Sequence, residues 1–181
     1  MKVYYDTEFL DDGHVIGLIS IGLVAEDGRE YYAVNWDAPW RGIREHPWLM
    51  ANVVPHLPQP HGDWINHMPR RWLIDLNDPS VKPYGKIAAE VKVFLQATPD
   101  LELWAWYGAY DHVALAQLWG PMMNLPAGVP MWTNDLKQEA WRLGNPEVPV
   151  QGGAVHNALA DARHLRVIDQ ALAEVAGRDF R

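Results

Sequence analysis

The stretch YYDTEFL, Tyr4 to Leu10, sets two carboxylates, Asp6 and Glu8, two positions apart in an aromatic and β-branched run. Alternate side chains of a strand share a face, so the two acids stand about 6–7 Å apart along one side. If partly buried, each raises the pKa of the other. Divalent cations reverse that cost, because hard oxygen ligands suit Mg²⁺ or Mn²⁺. The plainer alternative is an edge strand with both acids in water. Two further acids bear on the choice. Asp161 lies four residues before Leu165, on the apolar stripe Leu165, Ile168, Leu172 and Val175 of a C-terminal helical segment. An inward carboxylate needs a counter-charge, either an arginine or a metal shared with the first strand. Asp111 follows an apolar strand, at the edge where α/β sheets place their ligands, and it also reads as a helix N-cap. His156 follows the glycine-containing VQGGAV and precedes Asp161 by about one and a half helical turns. Its ordinary pKa of about 6.5 suits a general base at neutral pH. The chain has eight histidines, so only this placement sets it apart.

These side chains must be held by a folded domain. Nearly half of the 181 residues are apolar, enough for one domain with a sizeable core. The expected elements begin with strands over 3–9, 14–27 and 29–36, with DDG and DG turns between them, an antiparallel meander. The second strand is nearly continuously apolar, as a strand buried on both faces requires. From Asp37 to Pro83 the texture changes: eight of the 14 prolines and four of the 10 tryptophans fall there, which reads as an ordered excursion with one short helix over 48–54. Helices are expected over 84–98, 111–119, up to 142 and over 156–177, with strands over 101–107 and 129–136. The order β-β-β-α-β-α-β-α implies a mixed five-stranded sheet, three strands antiparallel and two parallel, flanked by helices.

Composition removes several chemistries. There is no cysteine, so disulfides, thiolate zinc sites and thiol nucleophiles are excluded. The two serines, Ser20 and Ser80, lie in no nucleophile-elbow pattern. A net charge of −8 argues against bulk attraction to a polyanion, though not against a local nucleic-acid site. Acids interrupt MKVYYDTEFLDDG before any signal-peptide core forms, and no apolar run suits a membrane span. A cytoplasmic protein is the expectation.

Three motifs taken together, DTE at 6–8, YDHVAL at 110–115 and HNALADA at 156–162, resemble those of the DEDDh 3′→5′ exonucleases. That superfamily includes RNase T, oligoribonuclease and the proofreading exonucleases. The N-terminal YDTEFLDDGHVIGLISIGLVAEDGREYYAV looks most like the actinobacterial, mycobacterial-type exoribonuclease AS branch, which trims single-stranded RNA 3′ ends and favours adenylates. The resemblance spans essentially the whole chain and implies an RNase H-like fold. It implies two Mg²⁺ or Mn²⁺ ions, with Asp6 bridging both, Glu8 and Asp161 completing the first site, and Asp111 at the second. His156 would deprotonate the attacking water, releasing nucleoside 5′-monophosphates. A homodimer is implied as well.

Substrate contacts are less defined. Thr7, through its backbone, and Leu10 interleave or follow the acids, although Leu10 also reads as core. Arg70 and Arg71 stand beside Trp72 in the excursion, a pairing of basic and aromatic side chains that suits a single strand. The same tryptophans could instead pack a core or a dimer interface. Asn35, Gln59, Asn66 and Gln151 are the residue types available for reading an adenine edge. The alternatives are a DNA 3′→5′ exonuclease, which shares the catalytic acids, and a catalytically silent nucleic-acid-binding module, which has no use for them.

Overall fold

The structure, a computed structural model, describes residues 1–60 and 73–179. Strands β1 (Lys2–Asp11), β2 (Ile16–Ala25) and β3 (Glu30–Asn35) form the antiparallel meander. Its second turn depends on Gly28, whose φ of +90° is open to glycine at no steric cost. Helices α1 (Trp40–Glu45) and α2 (Pro47–Asn52) follow, then a 3₁₀ turn at Val54–His56 and a two-residue strand β4 (Val81–Lys82). Helix α3 (Tyr84–Gln96), strand β5 (Glu102–Ala105), helix α4 (Ala109–Gln117), strand β6 (Asn134–Asp135), helix α5 (Leu136–Arg142) and helix α6 (Ala158–Asp179) complete the order. The sheet has six strands, arranged β4-β3-β2-β1-β5-β6, with β4, β5 and β6 in parallel pairings. Among the described residues, no helix is long and apolar enough to cross a membrane.

The five-stranded expectation is one strand short, because β4 is two residues between Pro79 and Pro83 and carries no readable period. The strand expected over 129–136 shrinks to Asn134–Asp135. Pro130 has no N–H to give a ladder, and Met131 and Trp132 are exposed. Helix α1 is an addition within the excursion. Helix α4 begins at Ala109 with Gly108 at its cap, so Asp111 sits inside the first turn and is not the N-cap. Helix α6 begins at Ala158, because His156 has a left-handed φ of +67° and the Asn157 Oδ1 accepts the Ala160 N–H at 3.1 Å as a cap.

Alternation along β1 sorts the core into layers. Val3 and Tyr5 face α3 and α4, packing with Ile87, Val91, Leu95 and Leu115. Tyr4 faces the other way, onto Leu136 of α5 and Leu165, Ile168 and Leu172 of α6. Asp6 therefore shares the α6 face. At the start of β1, Lys2 Nζ and Tyr4 Oη donate to the Asp169 carboxylate of α6 at 2.8 and 2.6 Å. A third cluster, Ile19, Val34, Ile43, Leu49, Val53, Val54, Leu57 and Ile74, seats the excursion on the sheet. Among its described residues the excursion is thus packed, by aliphatic side chains. Its Trp48 is 49% exposed, and Trp40 only borders the cluster.

One glycine decides how close α6 comes. Gly22 pairs across the ladder with Asp6, and a Cβ there would lie 2.3–2.4 Å from the backbone of Ala158 and Leu159. No Cβ fits, so the first turn of α6 rests on bare strand backbone. We expect Gly22→Ala to cost about 1–3 kcal/mol, as overpacking does, read as a lower urea midpoint at unchanged slope. Gly85→Ala, in α3 where a Cβ would meet nothing within 4 Å, is the comparison expected to leave the midpoint unchanged or to raise it. An unchanged midpoint in Gly22→Ala would mean that α6 retreats without cost.

Candidate active site

β1 lies between β2 and β5 and is not an edge strand; Asp6 and Glu8 pair with β2 and stand just past Tyr4, where the pairing with β5 ends. A bulge between Glu8 and Phe9 twists the strand as it leaves the pair. The seating of α6 on Gly22 brings Asp161 down onto the same place. One carboxylate oxygen each from Asp6, Glu8 and Asp161 lies within 4.8 Å of the others. The spacing expected from sequence is therefore closed by a third acid from a helix more than 150 residues away in the chain.

The electrostatics of this triple are one-sided. Burial pushes the Asp6 carboxyl well above the usual range, and Asp111, Glu8 and Asp161 push it further. Burial, then Asp161 and Asp111, raises Glu8 to about 8. Among the described residues, no lysine or arginine pairs with Asp6, Glu8 or Asp161. The arginine alternative for Asp161 is not realised among them. An all-oxygen, all-anionic donor set of this kind matches the requirements of Mg²⁺ or Mn²⁺.

Asp111 stands outside the tight triple but is the strongest charge acting on Asp6. Its Oδ1 accepts from the Thr7 backbone N–H at 2.9 Å and from the Thr7 hydroxyl at 2.6 Å. Both Thr7 donors are thereby engaged with Asp111. Asp161 is oriented by Gln151, whose amide donates to Asp161 Oδ1 at 2.7 Å and to the Gly153 carbonyl at 3.1 Å. Burial raises the Asp161 pKa, while the Gln151 amide and the His156 backbone N–H favour its charged form. His156, His164, Gln151 and Trp106 line a cavity of about 280 Å³ with Asp6 and Asp161. His164 there contacts the Pro149 carbonyl at 3.0 Å.

Leu10 packs against the cluster under the excursion. Arg70, Arg71 and Asn66 lie outside the described residues. Asn35 is buried with its amide on the Leu18 carbonyl, and Gln59 donates to the Val54 and Leu57 carbonyls. Gly22, Gln151 as a partner of Asp161, and the exposed Trp48 beside His156 are the additions the structure makes. Only Gly22 had a sequence signal, since a glycine inside a strand marks close backbone approach.

A model of the 3′-5′ exoribonuclease Rv2179c-like domain matches residues 1–172. The chain belongs to this family. Two relatives from Mycobacterium tuberculosis, the 3′-5′ exoribonucleases MT2234.1 (strain CDC 1551) and Rv2179c (strain H37Rv), are each 46% identical over 166 residues. Those residues cover 90% of this chain and 88% of each relative. The Mg²⁺- and Mn²⁺-bound structure of S. pombe Pop2p shares the fold, with a TM-score of 0.51 at 14% identity, over 96% of this chain and 82% of that one. The mixed, RNase H-like sheet and the family suggested by the three motifs are both borne out. Within this Rv2179c-like frame, the acids of the first and third motifs are the ones that meet.

The raised pKa of Glu8 has a sign that can be measured. The folded state holds its proton more tightly than the unfolded chain, so stability falls as pH rises from about 4.5 to about 8. His112 acts oppositely, since burial lowers its pKa. In the presence of a chelator, we expect the melting temperature of the wild type to fall relative to Glu8→Gln between pH 5 and 8. Parallel curves for the two proteins would mean that the acids are not crowded in solution.

Proposed function

We propose that this chain is a metal-dependent 3′→5′ exoribonuclease acting on single-stranded RNA, with the catalytic machinery carried by one domain. The observation that carries the reading is the convergence of Asp6, Glu8 and Asp161 without a described cationic partner, in a chain of the Rv2179c-like family. Asp6, Glu8 and Asp161 would hold one Mg²⁺ or Mn²⁺ ion, and Asp111 with Asp6 a second. When bound, such a pair supplies Lewis-acid stabilisation to an in-line phosphoryl displacement. Thr7 fixes the Asp111 oxygen, and Gln151 fixes that of Asp161. His156, at the wall of the same cavity, accepts the proton of the attacking water, and the products are nucleoside 5′-monophosphates. A preference for adenylate 3′ ends and a homodimeric state are supported by the likeness to the exoribonuclease AS branch.

The test uses 5′-labelled RNA and DNA oligonucleotides of one sequence, incubated with Mg²⁺ or Mn²⁺ and resolved as ladders. RNA is expected to shorten from the 3′ end, and a 3′ phosphate to stop it. Cleavage of circular strands, or faster turnover of DNA, would overturn the reading. Asp6→Asn is expected to abolish turnover and to lose Mn²⁺ binding in calorimetry, whereas equal binding would remove the metal assignment. For His156→Ala, kcat should drop by about 10²–10⁴-fold with Mn²⁺ binding largely intact. A drop of only a few-fold at neutral pH would move the base role to another group.

A further inference from the structure

The turn that carries His156 is poorly held by its own packing. It follows Gly152 and Gly153, where a Cβ would meet nothing within 4 Å. Ala154 and His156 both have left-handed φ values, +50° and +67°. An imidazole on such a turn must be oriented from outside. Among the described residues one aromatic ring contacts it: the Trp48 and His156 rings meet edge-to-face, with centroids 4.9 Å apart at 76°.

Trp48 itself stands on a firm base. It is the second residue of α2, whose N-terminus has Pro47 at its first position and the His46 imidazole accepting the Leu49 N–H at 3.3 Å. Leu49 next to it and Val53 beyond are buried in the cluster under the excursion. A second tie fixes the neighbour of the histidine: the Asn157 amide donates to the His56 carbonyl at 3.1 Å. The excursion therefore grips the turn at two consecutive residues, and only one of these contacts touches the imidazole.

We propose that Trp48 is a positioning residue for His156, and that α2 and the 3₁₀ turn at Val54–His56 buttress the catalytic turn. This rests on the reading of His156 as the general base. Edge-to-face contact restricts the plane of the imidazole. The competing role for a half-exposed tryptophan at such a place is stacking on a nucleobase, which would act on substrate binding.

A double-mutant cycle on the full chain separates these roles. Trp48→Ala is expected to lower kcat about tenfold while KM for a short RNA stays within about twofold, because misorientation of a catalytic group acts on turnover. Mn²⁺ affinity by calorimetry should be unchanged, and Trp48→Phe should restore most of kcat. In a His156→Ala background, Trp48→Ala should cause no further loss. A rise in KM at constant kcat would overturn the proposal in favour of base stacking. Equal losses in both backgrounds would overturn it while leaving His156 as the base. If His156→Ala alone leaves kcat unchanged, the base reading falls and takes this inference with it.

Discussion

Mutual repulsion among carboxylates on an interior strand is the constraint on which this structure turns. Asp6 and Glu8 cannot swing away, because β1 is paired with β2 through both residues and is tied to β5 at Lys2–Tyr4 just before them. Asp161 cannot withdraw without lifting α6 from Gly22. In a partly dry site such repulsion is far stronger than in water. The fold bears it because three apolar clusters, on both faces of the sheet and under the excursion, hold the elements in place independently of the acids.

The acids are not treated alike. Asp111 receives two hydrogen bonds from Thr7, and Asp161 receives one from Gln151. Among the described residues, the carboxylates of Asp6 and Glu8 receive none, and their pKa values are raised by burial and negative charge alone. Neutral donors thus aim the peripheral acids, while among the described residues no donor engages the lone pairs of the strand acids. That division suits a centre whose ligand geometry is set in advance, since donors fixed before binding need no rearrangement when charge arrives.

Much of this was legible in the chain, because the relevant signals are local. Period-two alternation put Asp6 and Glu8 on one face, and the stripe through Leu165, Ile168 and Leu172 pointed Asp161 inward. What stayed hidden depends on contacts between distant segments. The capping role assigned to Asp111 was reasonable for its residue type, but Thr7, more than 100 positions earlier, claims its carboxylate. The start of α6 was misplaced by two residues because the positive φ of His156 leaves no mark on composition. Asn35, Gln59 and Gln151 had the right chemistry for a base edge, yet each spends its amide on another part of the protein. Two-residue strands such as β4 and β6 are set by their neighbours, and no window of sequence is long enough to announce them.

The anchor formed by Lys2, Tyr4 and Asp169 has a metric consequence. From Asp161 to Asp169 along α6 is eight residues, about 12 Å at helical rise. From Asp6 back to Lys2, or from Glu8 back to Tyr4, is four residues, about 13 Å at strand rise. The helix and the strand run in opposite directions and are nearly commensurate between two points of contact. At one end an acid meets a lysine and a phenol, and at the other an acid meets acids. The salt-bridged end acts as the zero of a gauge, and the two-to-one ratio of rises carries that zero to the acidic end. A single residue inserted into either span would throw the scales out of step and part Asp161 from its partners without touching any of them.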